Sequence, residues 1–283
     1  MSDRTGSDVS SSGRDSGLPL KLIIALVIAA FSLITYFSNT SYNPITQEKQ
    51  HVAISPDQEI AIGLQSAPEM SNEYGGEAND AVGQARVSQI GSSIVANSDA
   101  GKTPYKFKFH LLADNRTINA FALPGGQVFI TEGLYRRLDT PGELAGVLAH
   151  EIGHVAARHS AQHIAKQQLT QGLTGAAVLA TYDPNDPNSR NNAEIAAVVA
   201  SLVNLKFGRA DELEADKLGV RFESDAGYDP RSMVKVMEIL EAASKTRTPE
   251  FFSTHPNPEH RIERIKEAIA DKYPNGVPAG MKQ

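Results

Sequence analysis

The sequence predicts a mainly helical α+β domain with a small antiparallel sheet, preceded by one transmembrane helix. Three observations carry this expectation. Leu22 to Phe37 is an almost unbroken apolar run, three short alternating or β-rich segments cluster between Lys106 and Thr131, and apolar residues recur at helical spacing from Asp139 onward. The 283 residues suit one large domain or two small ones. A chain that is 41% hydrophobic and 21% charged is not wholly disordered. Lys+Arg 27 against Asp+Glu 33 leaves a net charge of −6, which argues against a nucleic-acid partner. The absence of cysteine excludes disulfides, thiolate nucleophiles, thiolate metal sites and a lipid-modified N-terminal cysteine.

Residues 1–17 are rich in Ser, Gly and Asp and read as a disordered tail. Residues 18–37 form the expected anchor: about 20 residues cross a bilayer core about 30 Å thick, and Lys21 can snorkel. Arg4, Arg14 and Lys21 precede the span and only Lys49 closely follows it, so the N-terminus is expected in the cytoplasm and the rest outside it, on the periplasmic side if bacterial. Residues 38–54 read as a polar linker. Ser55-Pro56-Asp57-Gln58-Glu59 is a helix start, with Ser as cap, Pro in the first turn and acids at the positive end. A second helix is expected over about 78–97. Lys106 to Leu112 alternates as a strand, and Asn119 to Leu123 and Gln127 to Thr131 flank Pro124-Gly125-Gly126 as a hairpin. Thr140, Pro141 and Glu143 open a long helix expected to run to about 170. Residues 172–182 and 193–205 are apolar and too short to span; buried helices are the plain reading and membrane contact the alternative. Between them Asp183 to Asn188 is turn-rich. The main domain is expected over 55–275, with a tail over 276–283.

The chemistry lies in His150-Glu151-Ile152-Gly153-His154. Histidines at i and i+4 share a helix face, so both imidazoles reach one zinc ion at about 2.0–2.1 Å. Glu151 points about 100° away, too far round to ligate easily but able to reach a water bound to the ion. Such a site needs a third protein ligand. Ser160 and Ala157 stand where a metzincin would place its third His and its Gly, and on a continuous helix His159 and His163 face elsewhere, as solvent or packing histidines. A better source is Glu212-Leu213-Glu214-Ala215-Asp216: a carboxylate from a second helix completes the set, and Asp216 can bond the far nitrogen of a ligand His. Ala215 and Gly219 allow close helix packing. Periodicity alone does not choose Glu212 over Glu214.

At these residues the chain resembles the HtpX-like and LoiP-like zinc metallopeptidases, membrane-associated gluzincins related to the CAAX prenyl protease. Asn119 to Gly126, His150 to His154, Glu212 to Asp216, and Ser253-Thr254-His255-Pro256 with Arg261-Ile262 carry the likeness, which covers about 55–275. The resemblance implies a zincin-type domain holding one Zn2+ per chain through His150, His154 and Glu212, with Glu151 as general base and Asp216 behind the ligands. It implies a substrate-binding edge strand at Asn119, Ala120, Phe121 and Ala122, and polypeptide substrates. HtpX itself has several spans and LoiP-type members are often lipoproteins; this chain has one clear span and no cysteine. Binding along such a strand tolerates many side chains, so the expected activity is endopeptidase cleavage of unfolded or damaged exported or membrane proteins, with a narrow processing peptidase or a zinc-stabilised holdase as rivals. His255 is expected at the active site, as an oxyanion donor or as an occupant of zinc's fourth position, with Arg261 in a supporting part.

Overall fold

Leu20–Ser38 forms helix α1, the one described helix long and apolar enough to cross a membrane. Leu26, Val27, Phe31 and Ile34 on it are more than half exposed, which a core helix of a soluble domain would not tolerate. This computed structural model describes residues 20–181, 207–245, 248–257 and 259–283. The expected tail over 1–17, the first two residues of the expected anchor, the turn at 183–188 and the apolar segment 193–205 lie outside the described residues.

Residues 38–54 are not the linker that their polarity suggests. Strands β1 (Thr40–Asn43) and β2 (Glu48–His51) pair as an antiparallel hairpin. Its inward side chains, Asn43 and Gln50, donate to the carbonyls of Ala156 (2.8 Å) and Ala157 (2.9 Å). Those carbonyls end a helix and lack intrahelical partners, so the hairpin caps it.

Helix α2 (Pro56–Glu73) starts on a capping box between Ser55 and Gln58, and α3 (Ala81–Asn97) starts on Asp80. Strands β3 (Lys108–Leu112), β4 (Ala120–Leu123) and β5 (Gln127–Thr131) form one sheet in the order β3-β5-β4. The expected antiparallel sheet is present as the β4–β5 hairpin; β3 joins on the far side of β5 and runs parallel to it. The hairpin turn needs Gly125, at φ +79°, where a Cβ would run into the backbone of α2 at Ile60. A short helix, α4 (Glu132–Tyr135), follows.

Helix α5 (Pro141–Ala156) starts on the Thr140–Glu143 capping box and is buried along nearly its whole length. It does not continue to about 170. Arg158 turns the chain at φ +60°, and α6 (His159–Thr181) sets off afresh. The distal half of α6 is not a buried helix either: Leu173 is 36% exposed, and the helix runs beside α1, where a Cβ on Gly172 would meet the Ser32 hydroxyl. Helices α7 (Arg209–Asp225), α8 (Arg231–Ser244), α9 (Phe251–Thr254) and α10 (Arg261–Lys272) complete the domain. The core joins Leu148, Ile152, Phe222, Leu240 and Ile265 of these helices to Leu111 and Ile130 of the sheet. The last residues are no loose tail: Asp229 and Gly227 exchange backbone hydrogen bonds with Lys282.

Candidate active site

Two helices build the site, and their approach is set by small residues. A Cβ on Gly153 of α5 would lie 2.9 Å from the Ala215 carbonyl of α7, so the two backbones nearly touch. That approach brings Glu212 of α7 against the inner face of α5. The Nε2 atoms of His150 and His154 stand 3.0 Å apart. Glu212 lies 3.4 Å from His154 Nε2 and 3.5 Å from His150 Nε2. All three side chains are buried.

A fourth group enters from α9. The His255 ring stacks on Phe251, whose backbone N–H donates to the carbonyl of Ile118, just before β4. His255 Nδ1 sits 3.0 Å from Glu212 and 3.4 Å from His150 Nε2. Four donor atoms, from His150, His154, Glu212 and His255, thus lie within 4.8 Å of one another. Ligands at about 2.0–2.1 Å from a tetrahedral zinc are about 3.3–3.4 Å apart, so the donor set has the spacing that an ion needs.

The protonation pattern points the same way. His150 Nδ1 is 2.9 Å from Asp216 Oδ1, an acceptor that fixes the proton on Nδ1 and turns the Nε2 lone pair inward. His154 Nδ1 has its own partner, His159, at 2.8 Å. Two inward Nε2 lone pairs at 3.0 Å repel unless a cation lies between them. In the metal-free protein that cation is a proton on His150: burial opposes it, but the carboxylates of Asp216 and Glu212 push its pKa up to about 9. A divalent ion replaces the proton, so these residues fit a metal.

Electrostatic balance comes from Arg261 of α10. It pairs with Asp216 through two hydrogen bonds of 2.7 and 2.8 Å and reaches Glu212 at 3.2 Å. Burial raises the Glu212 carboxyl, but hydrogen bonds from His150 and His255 outweigh it and hold the group ionised far below the usual range. Glu151 is different. Burial without a hydrogen-bond partner on either oxygen pushes its carboxyl up, and His255 Nε2 lies 3.6 Å from its Oε1. A carboxylate so desolvated is a stronger base than an exposed one. Strand β4, preceded by Asn119, pairs only with β5 among the described residues and lies over α5 as the outer strand. Asn119, Ala120 and Phe121 are buried and Ala122 half-buried.

The sequence does not disclose the contact between His159 and Glu214. His159, taken for a solvent or packing histidine, is fully buried between His154 and Glu214. That outward direction holds only for a continuous helix, and the turn at Arg158 breaks it. Phe207 was missed as well; it stacks on the His154 ring at 4.3 Å.

A helix-borne His-Glu-x-x-His facing a carboxylate from a second helix is the donor set of a metallopeptidase. The chain belongs to peptidase family M48, whose model matches residues 81–269. It is 34% identical to the beta-barrel assembly-enhancing protease of Escherichia coli K12 over 191 residues, 65% of this chain and 38% of that protein. It is 32% identical to the mitochondrial metalloendopeptidase OMA1 of Schizosaccharomyces pombe over 242 residues, 84% of this chain and 69% of that protein. It is 26% identical to the metalloprotease YcaL of Escherichia coli K12, over 65% of this chain and 69% of that protein. The chain spans about two fifths of the length of the assembly-enhancing proteases that it matches.

Proposed function

We propose that this chain is a membrane-anchored, zinc-dependent endopeptidase acting on unfolded or damaged polypeptides outside the cytoplasm. The observation that carries the reading is the convergence of His150, His154 and Glu212 on one point, with the unpartnered Glu151 carboxylate beside it. When bound there, the ion lowers the pKa of a coordinated water toward about 7 and polarises the scissile carbonyl. Glu151 takes the proton of the attacking water and passes it to the leaving amine. The substrate lies extended along β4 and adds main-chain hydrogen bonds as a further strand would, which tolerates many side chains. His255 fills the remaining donor position and moves aside when substrate enters; the 3.0 Å contact to Glu212 supports this latch over a role as oxyanion donor. Arg261 keeps Asp216 ionised and pairs with Glu212 rather than touching the substrate.

Two experiments test the reading. Glu151→Gln keeps shape and metal but cannot accept a proton, so casein cleavage should fall by about 10²–10⁴-fold; a variant above about a tenth of the wild-type rate removes Glu151 as base. For topology, protease added to intact spheroplasts should digest the domain, and protection there would place it in the cytoplasm.

A further inference from the structure

We propose that His159 is a positioning residue for His154, oriented in turn by Glu214, so that the second metal-facing histidine is held by a buried relay of its own. The inference rests on the metal reading above. His154 Nδ1 and His159 Nδ1 are 2.8 Å apart, so one of these nitrogens donates and the other accepts. His159 Nε2 is 2.9 Å from Glu214 Oε2. An ionised carboxylate only accepts, so His159 carries its proton on Nε2 and its Nδ1 is left as acceptor. His154 must then hold its proton on Nδ1, and its Nε2 lone pair faces the donor cluster. Asp216 sets the same tautomer on His150 in one step, through its contact to Nδ1. Glu214 sets it on His154 in two steps. Helix α7 therefore supplies one candidate ligand, Glu212, and the carboxylates that orient the other two.

The relay needs His159 to lie back against His154, which a continuous helix forbids. Arg158 provides the reversal. Its left-handed backbone is uncommon for a side-chain-bearing residue, and its guanidinium is held by Glu59 Oε1 at 3.2 Å and the Ile54 carbonyl at 2.8 Å. Glu59 is buried and also accepts from the Tyr105 hydroxyl. The start of α2 thus fixes the turn that places His159. Since His159 is fully buried, water cannot easily take over its acceptor.

The test compares wild type, His159→Leu and His159→Gln in the whole chain, solubilised in detergent and freed of metal by chelation. Zinc affinity is read by competition with a fluorescent chelator, and site geometry by the visible spectrum after cobalt loading. His159→Leu leaves the His154 Nδ1–H without an acceptor and should weaken zinc binding about 10–100-fold with an altered cobalt spectrum. His159→Gln offers a carbonyl oxygen in that place and should recover most of the loss. Wild-type affinity and spectrum in His159→Leu would overturn the relay. If His159→Leu does not fold, nitrogen-detected NMR of histidine-labelled wild type decides: His159 protonated on Nε2 and His154 on Nδ1 support the relay, and the opposite tautomers overturn it. Should wild type itself bind no metal, the failure lies with the metal reading.

Discussion

Replacing Asp216 with Asn should change how many protons leave when the metal arrives. In the metal-free wild type, the Asp216 and Glu212 carboxylates overcome burial and hold the His150 pKa at about 9, so at pH 7 the ring is protonated. Binding an ion to Nε2 expels that proton, about one per ion, and affinity should rise about tenfold per pH unit from 7 to 9, or about 2.7 kcal/mol over the range. Stability of the metal-free protein follows the opposite sign. The folded pKa lies above the unfolded value of 6.5, so the stabilisation is complete below pH 6.5 and is lost as pH rises through about 9. Asn still accepts the His150 Nδ1–H but carries no charge, so the proton is no longer retained at neutral pH. Titration calorimetry in two buffers of different ionisation enthalpy at pH 7 counts the protons directly. We expect about one for wild type and well under half for Asp216→Asn. Equal release from both, or none from wild type, would refute the charge balance drawn here. Circular dichroism controls for folding, because Asp216→Asn also leaves Arg261 without its main partner.

Glu212→Gln should lose most bound zinc while Glu214→Gln retains it, measured by metal analysis after gel filtration; the reverse pattern would move the ligand to Glu214. His255→Ala should keep zinc and raise casein cleavage if His255 is a latch, whereas a loss of rate with zinc retained would make it an oxyanion donor. Ser32→Cys combined with Gly172→Cys should cross-link under mild oxidation, because a side chain at 172 meets residue 32 and the native chain has no cysteine. Failure to cross-link in membranes would show that α1 and α6 do not pack there as described.

What the sequence discloses depends on how far the controlling interaction reaches. The starts of α2 and α5 are legible because their capping boxes close within three residues: Ser55 with Gln58, Thr140 with Glu143. The β4–β5 hairpin is legible because its turn carries Gly125 and Gly126, both at positive φ. The parallel direction of β3 is not, since nothing local to Lys108–Leu112 records which side of β5 it joins. The hairpin over Thr40–His51 hides for a similar reason: its inward residues are Asn43 and Gln50, which bond each other and donate to helix-end carbonyls more than a hundred positions away.

The site divides along the same line. His150, Glu151 and His154 announce themselves through one turn of helix, and the facing acidic segment follows from the need for a third ligand. His159 was misplaced because the break at Arg158 has no glycine or proline to mark it; Glu59, 99 residues earlier, holds the turn instead. Glu214, which periodicity offers only as an alternative ligand to Glu212, gains its contact to His159 through that turn. Local pattern thus locates the donors, and long-range contacts decide which nitrogen of each ring is free. An ion bound by His150 and His154 depends on both levels: losing a donor removes a bond, whereas losing Asp216 or His159 leaves the bond possible but its lone pair unaligned. The two kinds of loss separate experimentally, since a missing ligand should alter metal stoichiometry and a missing orienting group should alter affinity at unchanged stoichiometry.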